Sequence, residues 1–390
     1  MRPLEGRRVW FVGIGGAGLS AYAYLARAWG AEVGGWDRVE TPYLRRLEGV
    51  EVEISPEPVA RSGWETVVST AYAGIVDGRS RAELLAELVA LRRSIVIAGT
   101  HGKTTTSAMI AFALQELGLE PAWLIGGEVP QLGGNAGAGA GWLVVEGDES
   151  DRTIEHLRPE IAVVTNVELD HHATFASEAE VRELFERWTG DVPQVVRGWE
   201  LEPVDFELAI PGEHNKRNAA AALAALELVG VERLEGETAL ARFRGAGRRF
   251  EVVGEAGGVT VVDDYAHHPV EIAATIAAAR ERSGDGRVLV LFQPHLYSRT
   301  RHLAHEFGAA LSAADAACVT EIYRAREDPI PGVSGKLVVD ELRPGLRAAW
   351  APSIEDGVRI VRSWAREGDL VLTLGAGDVD RAGKLLLELL

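Results

Sequence analysis

Short apolar runs, each closed by a glycine turn or a polar cluster, recur along the whole chain, and most lead into a helical spacing of apolar residues. Residues 9–12 form the first run, turn at Gly13 and precede a helical pattern over 19–29. Residues 32–36 form a second run that ends at Asp37, and 66–69 a later one that closes on Ser69. The runs at 94–98, 142–145 and 161–166 are continuous rather than alternating, as expected of strands covered on both faces. An Ala-rich helix is predicted over 219–228. Further strands are predicted at 258–262, 288–292, 317–320 and 370–374, with a helix over 270–280 and a Leu-rich helix closing the chain. Strands alternating with helices predict an α/β fold of parallel sheets with helices on both faces. Three units are expected, at 1–93, 94–243 and 244–390, and the Gly-rich stretch 126–141 reads as a flexible or ligand-embracing loop.

Charge and composition narrow the function classes. A net charge of −18 disfavours a nucleic-acid partner, so any phosphate site must be local. No run of 18 apolar residues occurs, and the apolar run behind Arg2, Arg7 and Arg8 is a first strand rather than a leader, so neither membrane insertion nor export is expected. Cys318 is the single cysteine, which rules out an intrachain disulfide, fits a cytoplasmic protein, and reads as a core filler.

The candidate chemistry sits where strands end. Gly99-Thr100-His101-Gly102-Lys103-Thr104-Thr105-Thr106 follows the strand 94–98 and opens a helical pattern. Backbone N–H groups at a helix start bind phosphate, a lysine there spreads charge over the β/γ region, and the first hydroxyl suits Mg²⁺. Ile97 stands where the strict pattern wants glycine, but the chain has only four lysines, which argues against Lys103 as filler. The nucleotide set is therefore Gly99, Thr100, Gly102, Lys103, Thr104 and Thr105. Glu146 and His171 follow the next two strands, and together with Thr104 they suit Mg²⁺ or Mn²⁺ beside phosphate oxygens. The acidic string 146–151 also reads as a solvated helix cap. Gly13-Ile14-Gly15-Gly16-Ala17-Gly18 is a second phosphate-type turn, with Asp37 about twenty residues on. Alone it does not say that the ligand is NAD, and a turn without a ligand gives the same pattern.

The third unit carries a different set. Arg299 suits a bidentate clamp on a carboxylate, and Tyr265, His267 and His295 are placed to orient the same ligand. Asp263 and Asp264 suit ribose hydroxyls, a metal or an amine, and His268 beside Pro269 reads equally as a core residue. An ATP site, a metal site and a carboxylate/amine site together suit an ATP-dependent amide-forming ligase better than a simple ATPase.

The two glycine turns, the 146–151 string, Thr165-Asn166 before Asp170-His171, Asp263-Asp264-Tyr265-Ala266-His267-His268-Pro269, and Phe292-Gln293-Pro294-His295 with Arg299 resemble the Mur ligases, in order and over nearly the whole chain. The last two clusters narrow the resemblance to the branch that adds L-alanine. It implies a Rossmann-like N-terminal domain, a central P-loop ATPase-like domain and a Rossmann-like C-terminal domain. UDP-N-acetylmuramic acid would lie on the first, against Gly15, Gly16, Ala17, Gly18, Asp37 and Ser69. MgATP would lie on the second, with His214 and Asn218 at the adenine. L-alanine would meet Tyr265, His267, His295 and Arg299 on the third, with Lys103, His267, His295 and Arg299 as the catalytic set. The reaction implied passes through an acyl phosphate and yields ADP and phosphate. A bacterial cytoplasmic monomer or weak homodimer is expected.

Departures from the family also show. The chain is short for it, with contractions expected between His172 and Gly212 and between Thr70 and Arg81. Leu296 stands where some members carry arginine. Other Mur ligases use a carbamylated lysine after the metal histidine, and no lysine lies between Lys103 and Lys216, so none is expected. Rival readings are a ligase that recycles whole peptides onto the same sugar nucleotide, a non-catalytic nucleotide or UDP-sugar-binding regulator, and, more weakly, a NAD-dependent enzyme.

Overall fold

The computed structural model describes residues 2–170, 174–325 and 327–390. Its chain separates into two compact units, Met1–Glu207 with Arg217–Phe243, and Leu208–Lys216 with Arg244–Leu390. The first unit holds two sheets and the second holds one.

The first sheet is built from β1 (Arg8–Val12), β2 (Glu32–Asp37), β3 (Glu51–Ile54), β4 (Glu65–Val68) and β5 (Arg79–Ser80), in the order β3-β2-β1-β4-β5 and wholly parallel. Helices α1 (Ala17–Ala28) and α2 (Arg81–Ala90) share a core with Val9, Phe11 and Val67. The alternate positions Trp10, Val12, Trp36 and Val68 face the other way and meet Val59, Trp64, Tyr72 and Val76. Helices therefore do not cover both faces of this sheet, contrary to the expectation from strand–helix alternation. The chain between β2 and β4 carries a 3-10 turn and β3 but no α-helix, and the rings of Trp10, Trp36, Trp64 and Tyr72 help close the second face.

The second sheet runs β11-β10-β6-β9-β7-β8. Its strands are β6 (Ser94–Ala98), β7 (Ala122–Leu124), β8 (Ala136–Ala138), β9 (Leu143–Glu146), β10 (Ile161–Val164) and β11 (Gln194–Arg197), all parallel except the β7/β8 pair. Helices α3 (Lys103–Glu116), α4 (Glu178–Thr189), α5 (Glu213–Val229) and α6 (Arg233–Leu240) accompany it. The apolar continuity of β6, β9 and β10 matches their central places, where both faces are buried. The stretch 126–141 is not wholly loop, because β8 lies within it.

The third sheet runs β12-β13-β17-β14-β15-β16, from β12 (Glu251–Ala256), β13 (Val259–Asp264), β14 (Val288–Phe292), β15 (Ala316–Thr320), β16 (Arg347–Ala351) and β17 (Leu370–Leu374). Only β12 is antiparallel to its neighbour. Helices α7 (Pro269–Ser283), α8 (Tyr297–Leu311) and α9 (Lys336–Asp340) contribute to one core, and α10 (Ile354–Trp364) and α11 (Asp380–Leu389) to another. Cys318 is fully buried in the latter. Among the described residues no helix is long and apolar enough to cross a membrane.

Candidate active site

Strand β6 ends at Ala98, and the chain turns through Gly99 (φ 130°) and Gly102 (φ 80°) into α3, whose first residue is Lys103. Both glycines are required, by backbone angle and by space. A Cβ on Gly99 would overlap the Thr165 hydroxyl, and one on Gly102 would overlap the Asn218 side-chain amide. The loop is cross-braced from the segment after β10. Asn166 Oδ1 accepts from His101 N at 2.9 Å, and Asn166 Nδ2 and Thr165 Oγ1 donate to His101 O at 3.0 and 2.6 Å. Thr100 Oγ1 donates to Glu168 O at 3.0 Å and accepts from Glu168 N at 2.9 Å.

The Lys103 ammonium donates to Gly99 O (2.6 Å), Thr100 O (3.0 Å) and Glu149 Oε1 (2.9 Å). Burial pulls its pKa down, yet Glu149, Glu146 and Asp148 outweigh burial and hold it above the ordinary lysine value. Burial pushes the Glu149 carboxyl up to about 7, against the pull of Lys103. The solvated-cap reading therefore fails for Glu149, which is buried beside Lys103. Thr104 Oγ1 donates to Glu146 Oε1 at 3.0 Å, and Gly126 N donates to Glu146 Oε2 at 2.6 Å. Hydroxyl and carboxylate oxygens so paired form a hard donor set of the kind Mg²⁺ prefers. Among the described residues no cluster of three His, Cys, Asp or Glu side chains able to hold a metal ion occurs. His171 and His172 lie outside the described residues.

On the first sheet, Gly16 caps α1, which begins at Ala17. Gly15 N donates to Asp37 Oδ2 at 2.7 Å, so the acid about twenty residues on fastens the glycine turn. The Ser69 hydroxyl lies 2.6 Å from where a Cβ on Gly13 would stand, which brings Ser69 to the same turn.

In the second unit the rings form a chain. Tyr265 and His267 lie edge to face at 5.3 Å, His267 and His295 at 6.0 Å, and His295 stacks on Tyr323 at 5.8 Å. His267 Nδ1 is 3.2 Å from Glu271 Oε2, which also accepts from His267 N at 3.0 Å. Arg299 is buried in the first turn of α8. Asp263 and Asp264 are not displayed for a ligand. Asp263 accepts from Arg248 Nε (2.8 Å) and Thr373 Oγ1 (2.7 Å), and Asp264 accepts from the N–H groups of Phe250 and Ala266, both at 2.7 Å. Burial pushes the Asp264 carboxyl up to about 6. His268 is buried at the start of α7, in keeping with its core reading.

Residues 97–188 match the Mur ligase middle domain and residues 248–377 match the Mur ligase, glutamate ligase domain. A UDP-N-acetylmuramate–L-alanine ligase of Streptomyces coelicolor is 40% identical over 456 aligned positions, covering 99% of this chain and 98% of that protein. One from Rubrobacter xylanophilus is 41% identical, covering 97% and 99%. The chain belongs to the Mur ligase family.

Among solved structures, the UDP-N-acetylmuramate-alanine ligase MurC of Thermotoga maritima superposes with a TM-score of 0.79 at 26% identity, covering 98% of each chain. A murein peptide ligase of Psychrobacter arcticus shares the fold, with a TM-score of 0.66 at 22% identity. The alignment of 456 positions exceeds the 390 residues of this Mur ligase, so the Streptomyces protein carries residues that it lacks.

Sequence reasoning missed two polar residues of the first unit. The Arg81 guanidinium lies 3.7 Å from where a Cβ on Gly18 would stand and bonds Asp151 Oδ2 at 3.0 Å, so it links the glycine turn to the 148–151 string. Ser80 and Glu83 form a capping box that starts α2 at Arg81, and that Ser-x-x-Glu spacing was the available signal. Asn135 is buried, donates to Ala17 O at 3.2 Å and accepts from Arg46 Nη1 at 2.9 Å. Nothing in the Gly-rich segment around it marks that role. The expected adenine pair falls into different compact units, His214 in the second and Asn218 in the first. Burial pulls the His214 imidazole below its ordinary value.

Proposed function

We propose that this Mur ligase forms the amide between the lactyl carboxylate of UDP-N-acetylmuramic acid and L-alanine, using ATP and releasing ADP and phosphate, in peptidoglycan precursor synthesis. The observation that carries this reading is the 40% identity, across nearly the full length of both chains, to relatives named for that reaction. The placing of Lys103, Thr104 and Glu146 around one helix start supports the nucleotide role. In this reading residues 1–93 bind the sugar nucleotide, 94–243 bind ATP and 244–390 bind the amino acid.

The chain's own residues have these parts. Lys103 offsets charge on the γ-phosphoryl group as the lactyl carboxylate attacks it in line, and N–H groups at the start of α3 hold the phosphates. Thr104, Glu146 and His171 would hold Mg²⁺, which when bound neutralises phosphate charge and polarises the transferred group. Gly15, Gly16, Ala17 and Gly18 take the pyrophosphate, and Arg81 adds the cation that the glycine turn itself lacks. Arg299 receives the alanine carboxylate, while Tyr265, His267 and His295 orient the amine that attacks the acyl phosphate. His214 and Asn218 contact adenine. In this reading the protein acts in the cytoplasm, as a monomer or weak homodimer.

The test is phosphate release with MgATP and UDP-N-acetylmuramic acid, with and without L-alanine, with product mass read in parallel. Alanine-dependent release and a product one alanyl unit heavier are expected, and Lys103→Ala abolishes both. A preference for a tripeptide over L-alanine would move the protein to the peptide-adding ligases. Tight nucleotide binding with no turnover would make it a regulator.

A further inference from the structure

Among the described non-glycine residues of the second unit, the largest positive φ belongs to Leu296, between β14 and α8, with φ 72° and ψ 133°. Arg152, another non-glycine residue at positive φ, sits in the ordinary left-handed region at φ 60°, ψ 15°. Leu296 does not. Its ψ takes it toward the part of the map that only glycine enters without strain.

The strain persists because both sides of the residue are pinned. Leu296 N donates to Tyr323 O at 3.0 Å. Leu296 O accepts from Thr300 N at 3.1 Å and from Thr300 Oγ1 at 2.8 Å. Tyr323 N in turn donates to Pro294 O at 2.8 Å, and His295 and Tyr323 form an isolated parallel bridge. One residue further into α8, Ser298 N donates to Glu327 Oε2 at 2.9 Å. Rotating Leu296 to a relaxed helical or extended conformation would break a bond on one side or the other. The chain thus leaves the strand and enters the helix across a single strained residue. His295 stands immediately before it, stacked on Tyr323, and Arg299 follows it within the first helical turn.

We propose that Leu296 is a positioning residue whose backbone, rather than its side chain, fixes His295 and Arg299 for the incoming amino acid. The proposal rests on the amino-acid role assigned above to those two residues.

Two variants separate backbone from side chain. Leu296→Ala keeps the restricted backbone and removes most of the side chain, whereas Leu296→Gly removes both. Glycine ordinarily destabilises relative to alanine, but at this φ and ψ the order reverses. Leu296→Gly is therefore expected to melt above Leu296→Ala. In the phosphate-release assay both variants keep KM for L-alanine within about twofold of wild type, because the bonds that pin the turn remain. A third variant, Leu296→Pro, which cannot adopt φ 72° and lacks the N–H that bonds Tyr323 O, raises it about tenfold or more with KM for ATP unchanged, and an unchanged KM for L-alanine there overturns the backbone role. A glycine variant that melts below the alanine variant overturns the strain. Equal loss of alanine affinity in both variants overturns the backbone role and assigns the effect to the side chain. Absence of alanine-dependent release in the wild-type protein instead brings down the amino-acid site itself, while the melting order still reads the strain.

Discussion

Replacing Gly99 by alanine probes the β6–α3 turn, the phosphate loop of the proposed reaction, at its tightest point. At φ 130° an L-residue is strained, at a cost of about 1–3 kcal/mol. The new Cβ would overlap Thr165 Oγ1, whose bond to His101 O is worth about 1 kcal/mol. It would also stand 3.0 Å from both N and O of Asn166. Asn166 cannot retreat freely, because its O accepts from Thr100 N at 3.2 Å and its Nδ2 donates to His101 O at 3.0 Å. The total is about 2–4 kcal/mol, divided between lost stability and lost nucleotide affinity. If all of it fell on affinity, MgATP binding would weaken by about 30- to 700-fold. Urea denaturation and calorimetric titration with MgATP, run on the same preparation, measure both shares. Adding Thr165→Ala removes the hydroxyl overlap but not the strained angle, so the double variant should be less impaired than the sum of the two singles. A Gly99→Ala protein that unfolds at the wild-type urea concentration and binds MgATP equally well would refute the reasoning.

Two further outcomes follow from Asp264, which is buried, and Arg81, which is partly buried. The Asp264 carboxyl is raised to about 6 from an ordinary 3.8, so the folded state binds the extra proton between those values. Its contribution to stability is full below about pH 4 and is lost as pH rises through 6, a change of about 3 kcal/mol. The stability difference between wild type and Asp264→Asn, followed by denaturation from pH 4 to 7.5, should fall over that window and then level off; a flat difference contradicts the burial argument. Arg81→Met should weaken UDP-N-acetylmuramic acid binding by about 10- to 150-fold, the worth of a charged hydrogen bond, with MgATP affinity unchanged. Titration calorimetry decides it, and unaltered sugar-nucleotide affinity removes Arg81 from the site.

The turn from β6 into α3 was legible because it is local: strand, glycine turn, lysine and helix are contiguous, and β6 and β10 are continuous apolar runs. The place of Glu146 at the end of β9 was legible for the same reason, although its bond from Thr104 was not. Asp263 and Asp264 were misread because the sequence shows carboxylates but not what they face. Arg248, Thr373 and the N–H groups of Phe250 and Ala266 reach them only through tertiary contacts. Glu149 looked like one acid among several until the fold buried it against Lys103. Strand β8 escaped because Ala-Gly-Ala carries no β-branched pattern; Gly137 is needed there since the Trp123 indole occupies the space a Cβ would take. The strained turn at Leu296 has no counterpart in composition or periodicity.

The chain crosses between its two compact units three times, after Glu207, after Lys216 and after Phe243. During synthesis, the first unit lacks its last segment until residue 243 has left the ribosome, by which time nine residues belonging to the other unit, 208–216, have already been made. No single cut can then divide the chain into two self-sufficient pieces. A fragment starting at residue 244 would lack the Leu208–Lys216 segment of the second unit, and one ending at residue 207 would lack the Arg217–Phe243 segment of the first. Complementation by split halves should therefore fail at either outer junction unless the fragments overlap across 208–243.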